Sequence, residues 1–211
     1  MNNEITITAD ELFCIGKLMN AEYIDYAYIV CMNDSADDFN IREKAVKQGL
    51  IKKELVFESF SGKTDVDESL TELLLPVFYG KKETSINICT IKEQAEADIL
   101  KFHFHDGRIT LIKAENGLLT LKGIRPDDIE KIVSGIFSDE SEFSDGPVSE
   151  TDGIRNVSAI MSVKSLVLEE RSVVHVFMKS GGIWYMDKGH NTFENVSRTD
   201  FIDLVTKLFK G

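Results

Sequence analysis

Cysteine is scarce in this sequence, with three among 211 residues. Cys14, Cys31 and Cys89 lie too far apart to form the two-residue spacing of metal-binding or redox pairs, and an odd number does not suit a disulfide framework. A chain of this length buries roughly 70% of the surface that its unfolded form exposes, so its core needs no disulfide. The sequence therefore predicts buried thiols in a reducing compartment.

Long apolar runs are also missing. The longest, at 73–78, is broken by Pro76 and is far shorter than the roughly 20 residues that cross a bilayer. The first four residues, Met-Asn-Asn-Glu, do not begin a basic segment followed by an apolar one, which is the pattern of a secretion signal. We therefore expect a cytoplasmic protein without membrane insertion.

Positive charge is in the minority. Lysine and arginine number 24 against 36 aspartates and glutamates, which gives a formal net charge of -12. Such a charge repels nucleic acid backbones and anionic lipids, so neither is an expected partner. A protein partner fits better, although acidic surfaces also serve solubility alone.

Motifs for catalysis and cofactor binding are absent. No Gly-x-Ser-x-Gly elbow occurs, and no cysteine lies in a recognisable nucleophile motif. The segment 61–64, Ser-Gly-Lys-Thr, resembles the end of a phosphate-binding loop, but Phe57 stands where that loop requires glycine. We expect an ordinary turn there, no cofactor, and no enzymatic activity.

Capping residues and apolar periodicity indicate the elements of the first half. Thr8 and Glu11 form a capping box that predicts a helix over 9–19. Asp65 is the expected N-cap of a later helix, and Gly49 the expected end of an earlier one. Further helices are expected at 37–48 and 66–78, and strands at 55–60, 85–90 and 159–168. The segment 23–32 suits either a strand or a helix, and we expect a strand there.

An internal repeat is the most informative feature of the second half. Two segments, 98–137 and 171–209, each read as strand, turn, strand, turn, strand and helix. The two helices match at a constant offset of 72. The matching pairs are Asp128 and Asp200, Ile129 and Phe201, Ile132 and Leu204, Val133 and Val205, Ile136 and Leu208, and Phe137 and Phe209.

The repeat indicates the fold class, because a unit of three strands and a helix cannot cover its sheet by itself. We expect the two copies to pair their strands or to pack together into one structure of mixed helices and strands with approximate two-fold symmetry. The whole chain, 1–211, is expected to form one domain. Its halves are 1–137 and 154–211, and the acidic segment 138–153 is the expected exposed connection.

Histidines supply the one candidate for a metal site. His103 and His105 stand two apart on a predicted strand, so their side chains share a face. With His175 or His190 as a third ligand they would form a site for a metal-dependent enzyme. The simpler interpretation places Phe102 and Phe104 inside, and Lys101, His103 and His105 on the solvent face, with no metal.

Four segments stand out in chain order: Thr8-Ala9-Asp10-Glu11-Leu12, Lys47-Gln48-Gly49-Leu50-Ile51, Leu73-Leu74-Leu75-Pro76, and Thr199-Asp200-Phe201-Ile202-Asp203-Leu204-Val205. Together they resemble the EspG family of type VII (ESX) secretion chaperones, and the resemblance spans nearly the whole chain. It implies an α+β fold with a central, largely antiparallel sheet flanked by helices and a pseudo-two-fold relation between its halves. It also implies a cytoplasmic chaperone that binds the tip of a helical export substrate. It departs from the mycobacterial members in being shorter and in carrying the acidic segment 138–153. For a family member, the aromatic content of 9% and the mixed charge suggest the Gram-positive branch, which handles WXG-like or LXG-type helical proteins.

The function that the resemblance implies is a chaperone or adaptor that keeps a WXG-like or LXG-type helical partner soluble and competent for export. The expected contacts are Ile202, Thr206 and Lys207 on the solvent side of the last helix, together with Tyr185, which alternates with the inward Trp184 on one strand. A homodimer stays open as a second association. The alternatives are the metal-dependent enzyme and an immunity or scaffold protein of the same secretion locus.

Overall fold

The computed structural model describes residues 4–30, 32, 39–91, 96–115, 117–167 and 172–210. Within these ranges the α-helices are α1 (Ala9–Met19), α2 (Tyr26–Ile29), α3 (Phe39–Lys52), α4 (Glu68–Tyr79), α5 (Ile129–Ile136) and α6 (Arg198–Lys210). The strands of the first half are β1 (Glu4–Thr8), β2 (Val56–Glu58), β3 (Thr64–Val66), β4 (Lys82–Thr90), β5 (Glu96–His105), β6 (Arg108–Glu115) and β7 (Leu118–Ile124). Those of the second half are β8 (Glu150–Asp152), β9 (Val157–Val167), β10 (Val173–Ser180), β11 (Ile183–Gly189) and β12 (Thr192–Asn195).

Ten of these strands form one antiparallel sheet in the order β1-β7-β6-β5-β4-β9-β10-β11-β12-β8, and β2 and β3 form a separate hairpin. The neighbours β4 and β9 pair in register, with Ile86 opposite Val163. Each is followed outward by the next three strands in chain order, so a four-strand meander occurs twice. The predicted α+β class with an antiparallel sheet flanked by helices is confirmed.

The repeated unit is visible in the order of its elements. β5, β6, β7 and α5 form the first copy, and β10, β11, β12 and α6 the second. Three of the helix positions that the offset of 72 matches are buried in both copies, namely Ile129 and Phe201, Val133 and Val205, and Phe137 and Phe209. The first hairpin of each copy turns through two residues with positive φ, namely 106–107 and 181–182, as a tight two-residue hairpin requires.

The chain divides into two compact units. The first comprises residues 1–81 and 102–124, and the second residues 82–101 and 125–211, so that β5 contributes to both. In the first unit, α1 to α4 pack their apolar residues with Ile7, Leu119 and Leu121 of the strands. In the second, Phe137, Phe143 and Phe177 surround Phe201 at centroid distances of 4.6 to 5.4 Å. The predicted single domain with halves 1–137 and 154–211 stays a prediction.

The capping box at the start of α1 is confirmed. The Glu11 amide donates to Thr8 Oγ1 at 3.1 Å, and the Thr8 amide donates to Glu11 Oε2 at 2.9 Å. The cap predicted for α4 is wrong by two residues, because Asp67 rather than Asp65 accepts from the amides of Ser69 and Leu70. Asp65 instead lies in β3, opposite Phe57.

Two other predicted elements differ from the structure. The strand expected at 23–32 is wrong, because Asp25 caps the short helix α2 by accepting from the Ala27 amide at 2.8 Å. The helix expected at 37–48 does not end at Gly49 but continues to Lys52, which brings Leu50 into the core with no exposure. Residues 37 and 38 lie outside the described part of the chain. The strand predicted over 159–168 is observed as β9, and Leu168 lies outside the described residues.

Gly80, directly after α4, is a position where the backbone itself requires glycine. A Cβ there would lie 2.2 Å from the carbonyl oxygen of Pro76 and 2.7 Å from that of Phe104. Both distances are far inside van der Waals contact, and both atoms belong to the backbone. The glycine therefore lets the chain leave α4 directly against β5.

Candidate functional site

The histidines of the alternative metal site lie in different surroundings. His103 is buried, and its Nε2 lies 2.7 Å from the hydroxyl of Tyr28 on α2. The Nε2 of His105 lies 3.4 Å from the Asp106 carboxylate. No group of three or more metal-ligating side chains occurs among the residues that the structure describes.

The solvent face predicted for Lys101 and His103 is also wrong. Both side chains are buried, at 7% and 3% exposure. Tyr28 contacts His103, and Lys101 forms an ion pair with Glu83 at 3.4 Å between side chains that are themselves nearly buried. The alternation of apolar and polar residues along β5 therefore indicates which side chains share a face of the strand. It does not reveal that the polar face is buried as well as the apolar one.

His175, on β10, is half-buried. Its pKa lies below the usual histidine value because burial disfavours the charged ring, and the nearby Lys188 acts in the same direction. A neutral ring at neutral pH is the consequence.

The predicted partner contacts lie in different environments. Ile202 and Thr206 are buried, at 8% and 6% exposure, so their predicted solvent position is wrong. Thr206 Oγ1 has no hydrogen-bond partner within the described residues. Lys207 is exposed and Tyr185 is half-buried, so these two reach the surface. Partner binding by the four residues stays a prediction.

The second unit contains an open cleft of about 250 Å³. Its apolar lining comes from the ends of β4, β9 and α5, and includes Ile88, Ala159, Ile136 and Phe137. Ile136, the last residue of α5, is 37% exposed. Ile136 therefore presents apolar surface at the cleft that the described residues of the chain leave uncovered.

Three polar or aromatic side chains form the opposite wall of this cleft. Glu142 pairs with Lys179, and its second carboxylate oxygen accepts from the indole Nε1 of Trp184 at 3.2 Å. The Lys179 ammonium lies 5.6 Å from the centroid of the Trp184 ring, within the range of a cation–π contact. Trp184 is 3% exposed, as its predicted inward position requires. Each of the three side chains contacts the other two, and these contacts fix the position of the indole in the wall of the cleft.

Glu142 is held in place by a segment that the sequence presented as a simple exposed connection. Phe143 is buried against Phe137 and Phe201. The side chain of Asn195 binds the same segment by donating to Ser144 Oγ at 2.7 Å and accepting from the Ser149 amide at 2.6 Å. Among the acidic side chains of 138–153, Glu142 is partly buried and the others are exposed.

Sequence reasoning missed Ile88, Ile136, Glu142 and Lys179 as members of a site, because they come from four elements that only the fold brings together. One signal was present in the sequence. Phe143 is the single aromatic residue of the acidic segment 138–153, and an isolated aromatic within a polar stretch indicates a point of attachment.

No helix within the described ranges has both the length and the apolar composition needed to cross a membrane.

Comparison with known proteins gives a likeness of structure without one of sequence. No protein-family model matches the chain, and no curated protein matches it in sequence. The structure is similar to that of the Mycobacterium tuberculosis type VII secretion system chaperone EspG5, solved in complex with the PE25–PPE41 dimer. The alignment has a TM-score of 0.66 and 9% identity, and covers 99% of this chain and 95% of EspG5. The chain therefore has the fold of this secretion chaperone over nearly its full length.

Proposed function

We propose that this protein is a cytoplasmic chaperone or adaptor of a type VII (ESX) secretion system that binds a helical export substrate and performs no reaction. The observation that carries the proposal is the agreement in fold with EspG5 across 99% of the chain. We further propose a place in the Gram-positive branch, with a WXG-like or LXG-type protein as the substrate, on the basis of the low aromatic content of 9%.

The cleft supports a role in binding a side chain rather than a metabolite. Its volume of about 250 Å³ lies below the roughly 300–1,000 Å³ of small-molecule sites. A space of this size suits one large apolar side chain, which is how a helix anchors itself in a groove. The fixed indole of Trp184 and the exposed Ile136 would then contact that anchor.

The charge of the cleft agrees with a protein partner. Lys179 and Glu142 neutralise each other inside it, so an apolar side chain can enter without leaving either charge unpaired. Outside it, Asp139, Glu140 and Asp145 are exposed and would favour a partner whose surface beside the anchor is basic.

The proposal is tested by co-expression with the helical secretion proteins encoded beside it. We expect one of them to co-elute with this chain on size exclusion. In the Ile136→Glu variant the carboxylate would stand at the apolar lip beside Glu142, and we expect binding to weaken at least about tenfold. Because Ile136 is partly exposed, the variant should fold.

The matched control is Leu118→Glu, which places the same charge at an apolar residue that is 47% exposed and outside the cleft. It should bind as the wild type does. If no helical secretion protein co-elutes, the proposed function is refuted. If one co-elutes and both variants bind equally well, the cleft is not its site.

A further inference from the structure

β10 carries apolar side chains on the face of its sheet opposite to α6. Phe177 points toward α6, and its ring centroid lies 5.1 Å from that of Phe201. The alternate positions of the strand point to the other face, and they are Val174, Val176 and Met178. Val174 is 49% exposed, and the other two are partly exposed. A sheet face in contact with water is ordinarily polar, so an apolar one indicates a surface that binds a partner.

The apolar surface continues onto the neighbouring strands. Met178 lies opposite Ile160 of β9 and Tyr185 of β11, and Ile160 lies opposite Cys89 of β4. Ile160 is 37% exposed, and Cys89 and Tyr185 are partly exposed. These four side chains form a row across four strands of the second unit. The row, together with Val174 and Val176 of β10, is called the open face below.

The first copy of the repeat has a cover over the equivalent surface. Counted back from the two-residue turns, Lys101 and His103 of β5 correspond to Val176 and Met178 of β10. Lys101 and His103 are 7% and 3% exposed, and Tyr28 contacts His103. The second copy has apolar side chains at these positions and leaves them partly exposed. The described residues give the open face no such cover, which favours another molecule as its source.

One lysine and one aspartate border the open face, on opposite sides of β10. Lys164 of β9 lies opposite Val174. Asp187 follows Tyr185 by two residues on β11, so it points to the same face. The Gly189 amide donates to Asp187 at 2.7 Å, and neither charged side chain forms an ion pair with another described residue. The surface therefore offers one charge of each sign to a partner.

We infer that two copies of the chain form a dimer in which their open faces pack together about a two-fold axis along β10. This axis places Val174, Val176 and Met178 against the same residues of the second copy, so apolar surface meets apolar surface. Sheets that pack face to face keep their strand directions nearly aligned, as this axis requires.

The same axis brings opposite charges together. It exchanges the two sides of β10, so Lys164 of one copy lies over the β11 strand that carries Asp187 of the other. The two residues are offset by two positions along the strands, about 7 Å, which a lysine side chain can span. Each dimer contains this contact twice, and its complementary charges favour the symmetric orientation.

Charge also favours a second copy over another occupant. The chain has a net charge of -12, so two copies repel each other wherever acidic side chains dominate their surfaces. The open face is an exception, because its lysine and aspartate are neutralised by those of an identical copy. A wholly basic or wholly acidic partner would pair with only one of them. The face is only a few strands wide, so we expect a weak dimer whose population depends on concentration.

Sedimentation velocity of the purified protein tests this dimer without any secretion partner. We expect the sedimentation coefficient of the wild type to rise with concentration and to level off at the value of a dimer, because a two-fold contact closes. Lys164→Glu and Asp187→Lys, each measured alone, should weaken association at least about tenfold, since each places like charges together twice. The matched control is Lys44→Glu, the same charge reversal at an exposed position of α3, which should associate as the wild type does.

Mixing the two variants gives the sharpest result. In a one-to-one mixture of Lys164→Glu and Asp187→Lys, both contacts again join opposite charges, so the mixture should dimerise although neither variant does so alone. The variant with both substitutions should dimerise by itself for the same reason. Asp187→Lys lowers the net negative charge of the chain, so its loss of association cannot come from stronger overall repulsion.

Several results would overturn the inference. They are a wild type that stays monomeric at the highest concentration reached, a mixture that stays monomeric, species larger than a dimer, and a Lys44→Glu variant that dissociates as readily as Lys164→Glu.

Val176→Asp identifies the occupant of the open face. It should abolish the dimer, because it places two carboxylates together on the axis, and leave binding to a helical secretion protein within about twofold of the wild type. A folded Val176→Asp variant that loses the secretion protein would show that this protein occupies the face, and would overturn the inference. The inference goes beyond the proposed function, and a failure to dimerise leaves that function untouched.

Discussion

Cys14 on α1 shows how burial alters a single ionisable group. It belongs to the core of the first unit and is 1% exposed. Burial is the main cause that raises its pKa from 9.0 to about 11. Between these values the unfolded chain has lost the thiol proton while the folded chain keeps it, so a rise in pH favours unfolding.

We therefore predict a pH-dependent contribution of Cys14 to stability. Below pH 9 the difference in free energy of unfolding between the wild type and Cys14→Ala should be constant. From pH 9.0 to about 11 the wild type should lose stability relative to the variant. Urea unfolding of both proteins over this range measures the difference, and an unchanged difference would show that the thiol is not shielded.

Asn195 is the second residue whose role is specific enough to test. Its amide donates to Ser144 Oγ and to the Pro147 carbonyl, and its oxygen accepts from the Ser149 amide. Asn195→Ala removes these three bonds and a fourth from the Ser149 hydroxyl, and we predict a loss of about 1–3 kcal/mol in the free energy of unfolding. Asn40→Ala, which removes one surface bond to Lys17, should change stability by less than about 0.5 kcal/mol. Equal effects of the two variants would mean that Asn195 does not hold the acidic segment.

At the scale of elements, α6 packs on the sheet of the second unit through Phe201. The ring has no exposure and contacts the rings of Phe137, Phe143 and Phe177. We predict that Phe201→Ala lowers the free energy of unfolding by about 3–5 kcal/mol, because it removes a large buried ring and leaves a cavity.

Thermal or urea unfolding checks this value. Asp203→Ala, at an exposed position of the same helix, should stay within about 0.5 kcal/mol of the wild type. A loss below about 1 kcal/mol for Phe201→Ala would mean that α6 is not packed through this ring.

The repeat was predictable from sequence because a helix needs one apolar stripe, and two copies of the stripe at a fixed offset are visible without structure. The short helix α2 was not predictable in the same way. The tyrosines and β-branched residues at 23–30 favour a strand. The structure has a short helix there instead, which is stabilised by the Asp25 cap and by the contact of Tyr28 with His103. A tertiary contact that fixes a side chain can override the secondary-structure propensity of the local sequence.

At the scale of the whole molecule, the antiparallel sheet with flanking helices followed from the sequence, whereas the cleft did not. Ile88, Ile136, Glu142 and Lys179 are separated by up to 91 positions, from 88 to 179, and no periodicity links them. The acidic segment 138–153 looked like a linker because charge dominates its composition, and only packing shows that Phe143 and Glu142 attach it to the second unit. A site that is assembled from several elements depends on the fold, so the periodicity and composition of the local sequence do not indicate it.

The second unit is proposed to act as the receptor, in which Lys179 pairs with Glu142 and the cleft beside them is open for a helix. The net charge of the chain, -12, disfavours binding to nucleic acids and anionic membranes. Binding without chemistry then depends on buried apolar area and shape, so its strength should respond to substitutions at the lip of the cleft more than to those elsewhere.

Isothermal titration of a co-purified helical secretion protein into the wild type, Ile136→Glu and Leu118→Glu measures that response most directly. We expect the dissociation constant to rise at least about tenfold for Ile136→Glu and to stay within about twofold of the wild type for Leu118→Glu. Equal dissociation constants for all three proteins would contradict a cleft-based receptor.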